Sequence, residues 1–329
     1  MAVILGAQAL EGVLSMRDAI GLLEQMSRRE AAGQTLISPR QTTQLKNGWM
    51  RLMFAADYAS GYGVTKVFHL VRGVGVRYVV SLYRLQDGEL LAVLDGRLIT
   101  DLRTGAASGV VARHVTLPAE VTIGIIGSGH QARMQLESLA AELKVASATV
   151  FSPTPAHREK FAADMSAKLG IAVGVVDRAE SAAREHDIVV VATSAVGTGP
   201  LVNAAWLKDC KLVCAVGSTR LESVEVDAAA FGNAELVIVD SLLAAEEAGD
   251  LQRAISSGRL ARDRQITLAQ LVAQGKRAMS GGYAVFKSVG SGLQDLALAA
   301  RYYELLKSRP GMSEAADLGS LKVPLRITP

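Results

Sequence analysis

Three basic residues stand where basic residues are rare. Arg40 follows Pro39 at the start of a sheet-like segment, and Lys66 sits inside the apolar run "GVTKVFHLV". Arg103 lies midway along "LITDLRTGAASGVVARHV", a stretch otherwise rich in small residues. Lys and Arg are seldom buried without a partner. Two readings are open. The three cations converge on a cleft and hold a carboxylate, with arginine able to grip it bidentately. Alternatively, Lys66 and Arg103 lay their stems on apolar surface and reach solvent.

A second cluster begins at Thr122 with "TIGIIGSGHQARMQLESL". Gly127, Ser128, Gly129, His130, Gln131 and Ala132 form G-x-G-x-x-A between a strand-like run and a helical one. The first glycine permits a tight turn, the second lets a pyrophosphate approach the backbone, and Ala132 lets the helix pack close to the strand. Helix N-terminal N–H groups then face the phosphates. The motif alone is weak, but its strand–turn–helix setting at the head of a βα series points to a dinucleotide. The next strand ends in "TVFSPTPAHREKF". NAD sites usually place an acid there for the ribose 2′-OH. Ser152 and Thr154, with His157 and Arg158 behind them, suit a 2′-phosphate better. NADP(H) is therefore preferred, with NAD(H) possible. Later strands end in Thr193-Ser194 and Val216-Gly217-Ser218. Ligands of open parallel sheets bind beyond carboxyl strand ends, so these residues would border ribose and nicotinamide. Taken singly, each reads equally well as an ordinary loop start.

These residues need elements to place them. Residues 11–32 carry helical spacing and end at Gly33. Short β-rich runs follow, broken by Gly, Asp and Asn, with Asp87-Gly88 a hairpin signal. They predict a mostly antiparallel sheet with a helix on it. From Val121 the rhythm is strand–helix, with continuous apolar strands expected at 121–126, 147–151, 172–176, 187–192, 211–216 and 235–239. "YAVFKS" is a further strand, and "LQDLALAARYYELLK" the last helix. The fold class is α/β: a Rossmann-type parallel-sheet domain at 119–300 behind an N-terminal α+β domain at 1–118. The latter is expected to be completed by the returning C-terminal helix and 301–329.

Composition narrows the partners. Lys+Arg number 35 and Asp+Glu 32 among 329 residues, a net +3. No block of like charge appears and aromatics are sparse, so neither nucleic acid nor a membrane surface is an expected partner. Cys210 and Cys214 lack a metal-site spacing, and Cys214 reads as a small buried hydrophobe. "MAVILGAQALEG" lacks the basic start and apolar core of a signal peptide. No run approaches the roughly 20 apolar residues of a membrane span. A soluble, cytoplasmic protein is expected.

"LLAVLDGRLITDLRTGAAS", "GIIGSGHQA", "AVGSTRLESVEVD" and "VFKSVGSGLQDLA" together resemble the ornithine cyclodeaminase/mu-crystallin family, in order and with similar spacing. The resemblance implies homodimers and reactions at the α-carbon of amino or imino acids. It implies that Arg40, Lys66 and Arg103 hold a substrate carboxylate. It also implies cofactor contacts at residues 127–132, Ser152, Thr154, Thr193, Ser194, Val216 and Lys287, and an acid, Asp295, at the active-site edge. Three departures matter. Thr219 stands where cyclodeaminases carry their catalytic Asp, and a threonine hydroxyl is a poor general base. Some relatives carry a Ser-His pair near Val76-Arg77, and NADPH-using relatives often show an Arg near Ser152-Pro153-Thr154.

Together these features predict an NAD(P)H-dependent reductase of α-imino acids, of the Δ1-pyrroline-2-carboxylate or Δ1-piperideine-2-carboxylate type. Lys66 and Arg103 are the expected catalytic residues. Arg40, Lys66, Arg103, Thr219 and Asp295 are expected to contact substrate, and no metal is expected. The alternatives are an amino-acid dehydrogenase of the alanine dehydrogenase kind, an ornithine cyclodeaminase, or a binding protein that holds NADPH with little turnover. His69 and His114 are proton-donor candidates by residue type only.

Overall fold

Period-two alternation builds the first layer. In the computed structural model, β4 (Gly48–Asp57), β5 (Tyr62–Val71) and β6 (Gly75–Arg84) form a ten-residue antiparallel meander. The structure describes residues 2–309 except 196, 198 and 218, and the backbone of Ser313–Glu314 (β16). β7 (Leu90–Asp95) continues the sheet, and β1 (Val3–Leu5) pairs parallel to it. β2 (Thr35–Ile37) and β3 (Gln41–Leu45) both pair with β4. Side chains point to opposite faces in turn. On β5, Val64, Lys66 and Phe68 are buried while Val67 between them is exposed.

The buried face carries helices. α1 (Ala7–Leu10) is one turn. α2 (Met16–Ala31) starts at a reciprocal Ser15–Asp18 capping box, and its Ile20, Leu23 and Met26 enter the core. α3 (Gly96–His114) starts where the Asp95 carboxylate accepts from the Arg97 and Leu98 N–H groups. It is buried over most of its circumference because it lies between the two layers. Its small residues make that possible: a Cβ on Gly105 would stand 2.6 Å from the Met134 carbonyl.

The second sheet is parallel throughout and covered on both faces. In spatial order it runs β10 (Ala172–Val175), β9 (Val145–Phe151), β8 (Val121–Ile126), β11 (Ile188–Val191), β12 (Leu212–Ala215), β15 (Ala284–Lys287), β13 (Leu236–Val239) and β14 (Gln265–Thr267). The predicted strands are present, with ends shifted by a residue or two. The sequence did not signal that β15 slots between β12 and β13, nor that β14 forms the edge. Around the sheet lie α4 (His130–Glu142), α5 (Pro155–Leu169), α6 (Ala179–Ala183), α7 (Ala228–Asn233), α8 (Ala244–Glu247), α9 (Gly249–Ser256) and α10 (Leu268–Gln274). The order reverses between β8 and β11, which opens a crevice at their carboxyl ends. Finally, α11 (Gly292–Leu306) leaves the parallel sheet and packs across β4, β5 and β6 of the first sheet. Among the described residues no helix is long and apolar enough to cross a membrane.

Candidate active site

A strand, β5, a helix, α3, and the loop between β2 and β3 bring the three cations together over the start of α11. Lys66 from β5 is 1% exposed, and its Nζ donates to Asp295 Oδ1 at 2.7 Å and Thr100 Oγ1 at 2.6 Å. Asp295 comes from the first turn of α11, so the return of that helix places a carboxylate under a lysine that burial would otherwise discharge. Arg103 from α3 reaches the same carboxylate at 3.6 Å and donates to Gln294 Oε1 at 3.1 Å. Arg40 donates to the Val289 and Gly290 carbonyls at 2.8 and 3.0 Å and pairs with Glu247 at 3.1 Å. Gly290 is required here: its φ is +81°, and a Cβ would fall 2.3 Å from Arg103 Nη1. The β15–α11 linker is fixed by Asp240, which accepts from Ser288 Oγ and the Val289 and Gly290 N–H groups. The three cations thus converge on one place, and Lys66 and Arg103 are buried and do not reach out to solvent.

The cations line a chamber of about 170 Å³, with Phe68, Tyr78, Gln131, Val216 and Thr219 among its walls. Phe68 and Tyr78 stack at 5.6 Å, and Lys66 Nζ lies 5.2 Å from the Tyr78 ring centroid. Burial pushes the Lys66 pKa down to about 8; Asp295 opposes that push and Arg103 adds to it. Burial raises the Tyr78 hydroxyl above its ordinary value. Tyr78, Phe68 and Thr100 were missed by sequence reasoning. Tyr78 and Phe68 could have been found by continuing the alternation that makes Lys66 inward-facing. Thr100 could have been found by its position one turn before Arg103.

The chamber opens toward the crevice of the parallel sheet. Gly127 turns there with φ +114°, and a Cβ would meet the Ala192 carbonyl at 2.2 Å. Gly129 caps α4 with no side-chain hydrogen bond, and nothing stands within 4 Å of where its Cβ would be. The first N–H groups of α4 are thus left without a capping side chain beside open space, as a pyrophosphate requires. Ser128 is half-buried and His130 exposed at the same turn, while Ala132 is fully buried against the sheet. Gln131 lines the chamber and donates to Asp101 Oδ1 at 3.0 Å. At the end of β9, Ser152 is buried, Thr154 and His157 are exposed, and Arg158 donates to the Ser152 carbonyl at 2.8 Å. Thr193, Val216 and Gly217 cluster at the β11 and β12 ends, with Ser194 exposed beside them; Ser218 lies outside the described residues.

Two predicted residues sit deeper than direct contact requires. Lys287 is fully buried, paired with Asp250 at 2.8 Å. Beside it, Glu225 accepts from the Thr193 N–H and hydroxyl, and burial raises its pKa. This buried group sits under Gly217, where a Cβ would strike Glu225 at 2.3 Å. Asp250 links the two, since it pairs with Lys287 and accepts from the Glu225 N–H at 2.7 Å. Asp295 is also fully buried: it forms the floor under the cations, not an edge. His114 pairs with Glu24 at 3.1 Å and does not line the chamber, nor does His69.

Comparison with known proteins identifies the family. The chain is 35% identical over 243 residues, 73% of its length, to a Delta(1)-pyrroline-2-carboxylate reductase of Bacillus cereus, and spans 74% of that protein. It superposes on Thermococcus litoralis Delta(1)-pyrroline-2-carboxylate reductase, solved with NADH and L-proline. The TM-score is 0.89 at 28% identity, covering 95% of this chain and 100% of the other. It superposes on an archaeal alanine dehydrogenase dimer with bound NAD at TM-score 0.87 and 26% identity, covering 95% and 99%. The family model matches residues 1–309. The chain is an oxidoreductase, and it belongs to the ornithine cyclodeaminase/mu-crystallin family.

Proposed function

We propose that the chain is an NAD(P)H-dependent reductase of α-imino acids that converts C=N to CH–NH. The observation that carries this reading is the convergence of Arg40, Lys66 and Arg103 on a small chamber beside the Gly127–Ala132 turn. When bound, a reduced nicotinamide would supply the hydride. Arg40 and Arg103 would hold the substrate carboxylate, because both line the chamber and a guanidinium can grip a carboxylate with two donors. Lys66 commits two of its three N–H groups to Asp295 and Thr100. Its third would point at the imine nitrogen or the carboxylate, so Lys66 is our candidate proton donor. Orientation alone can supply several kcal/mol of barrier lowering, of order 7–11 in well-aligned intramolecular cases.

We assign the cofactor's pyrophosphate to the turn at 127–132 and its nicotinamide to Thr193, Ser194, Val216, Gly217 and Ser218. Ser152, Thr154, His157 and Arg158 would meet the adenosine ribose. The lack of an acid at the end of β9 favours NADP(H). The solved relatives hold NADH or NAD, which supports NAD(H) as the other choice. Residues 119–300 would form the cofactor unit and 1–118 the substrate unit, closed by α11. Thr219 in place of an acid argues against ring closure with loss of ammonia.

Cyclic imines such as Δ1-pyrroline-2-carboxylate and Δ1-piperideine-2-carboxylate are the first substrates to try, on the strength of the relatives. The alanine dehydrogenase likeness supports a second reading, oxidative deamination through the same residues. The test follows NAD(P)H loss with imines and NAD(P)⁺ reduction with proline and alanine. Turnover of alanine alone would favour the second reading; no turnover in either direction would remove both.

A further inference from the structure

The inner chamber shares Arg40 and Thr219 with an outer vestibule of about 580 Å³. Arg51 lines that vestibule. It lies on the inward face of β4, two residues before Met53 of the inner chamber, and in register with Phe68, two residues beyond Lys66. One pleat repeat, roughly 7 Å along the strand, therefore separates it from the deep cations.

Arg51 differs from those cations in its partners. Arg40 has Glu247, while Lys66 and Arg103 share Asp295. Among the described residues Arg51 has no carboxylate within ion-pair distance. Its guanidinium stacks on Trp49, 4.5 Å from the ring centroid. Its Nη1 meets only the Thr219 carbonyl and hydroxyl, at 3.5 and 3.3 Å, and its buried Nε has no acceptor. Two acids of the vestibule are engaged elsewhere, Glu247 with Arg40 and Glu246 with Arg262 at 2.7 Å, and the third, Glu222, acts on Arg51 only from beyond ion-pair distance. Burial, with Arg40 and Arg220 nearby, pushes the Arg51 pKa down to about 10 against the weaker pull of Glu247 and Glu222. A planar guanidinium has five donors in a fixed fork, and here the indole face holds it in place with most of them unfilled.

We propose that Arg51 is the subsite for a second carboxylate on the substrate side chain, so that the enzyme favours α-imino dicarboxylates over imino acids with neutral side chains. The α-carboxylate would sit at Arg40, Lys66 and Arg103, and the distal one would meet Arg51 in the vestibule. The inference rests on the imino-acid reading and narrows it to one side-chain class.

The test uses the full-length protein and both nicotinamides. Imines are generated from ammonia with oxaloacetate, 2-oxoglutarate or pyruvate, and pyrroline-2-carboxylate is run beside them. The wild type should favour the acidic substrates over pyruvate imine by at least about 10-fold in kcat/KM, the scale of one charge-assisted hydrogen-bond pair. Arg51→Met should collapse that ratio by about 10–100-fold, chiefly through KM. A wild-type preference for neutral side chains, or equal losses on both classes in Arg51→Met, would overturn the inference and leave imine reduction standing. No turnover of any imine would instead remove the reaction itself. Binding of succinate against butyrate in the presence of NAD(P)⁺ then judges Arg51 alone: tighter succinate binding, lost in Arg51→Met, supports the subsite, and equal binding ends it.

Discussion

Lys66 is a buried lysine whose charge depends on one carboxylate. Its pKa of about 8 makes it mostly cationic at neutral pH and mostly neutral above pH 9. If its N–H protonates the imine, kcat/KM for reduction should hold below about pH 8 and fall as pH rises through it. The oxidative direction should rise over the same interval. A pH–rate profile of the wild type against Lys66→Met checks this, since the variant should lose that limb. Replacing Asp295 by Ala would strand two buried cations, and breaking such a pair costs about 3–5 kcal/mol, read as a lower midpoint in urea unfolding. Arg103→Ala should lower imine turnover by about 10²-fold or more while leaving cofactor affinity near the wild-type value. Unchanged turnover would take Arg103 out of the site.

Elements matter because each functional side chain is held by a neighbour from a distant part of the chain. Lys66 of β5 depends on Asp295 of α11, and Arg103 of α3 fits only because Gly290 in the β15–α11 linker has no side chain. Gly290→Ala should therefore displace Arg103 and also strain a left-handed backbone, for a loss of about 1 kcal/mol or more in stability and a larger loss in substrate KM. α2 carries a different signature. Burial, and Asp240 beyond it, raise the Glu30 pKa to about 7. A carboxyl with a raised folded pKa contributes stability below its ordinary value of 4.5 and loses it as pH climbs through about 7. Glu30→Gln should therefore raise the melting temperature at pH 8 relative to wild type and show little gain at pH 4.

At the scale of the molecule, the outward face of the first sheet leaves apolar side chains exposed. Met50, Leu52, Val67 and Val79 are between 36% and 46% exposed, and Ile4 of β1 is 51% exposed. Contiguous apolar faces of this sort mark interaction surfaces. A contact between two copies of the chain would bury this face. Leu52→Asp combined with Val79→Asp should give a monomer by sedimentation. An unchanged sedimentation coefficient would place the contact elsewhere.

The sequence by itself determined the local features: the βα rhythm, the Gly127–Ala132 turn, and the three anomalous cations. Each is set by short-range periodicity or by residue chemistry that neighbours in sequence can reveal. Tertiary structure alone decided what those cations pair with. Lys66 and Asp295 are 229 positions apart, and nothing in either neighbourhood specifies the other. Tertiary structure also turned Lys287 into a buried support and Tyr78 into a wall of the chamber. Arg51 in "GWMRLMFAA" reads as an ordinary surface arginine until the sheet face, the indole beside it and the missing counter-ion are seen together. Burial and pairing are properties of the packed molecule, and they determine which charges are free to bind a substrate.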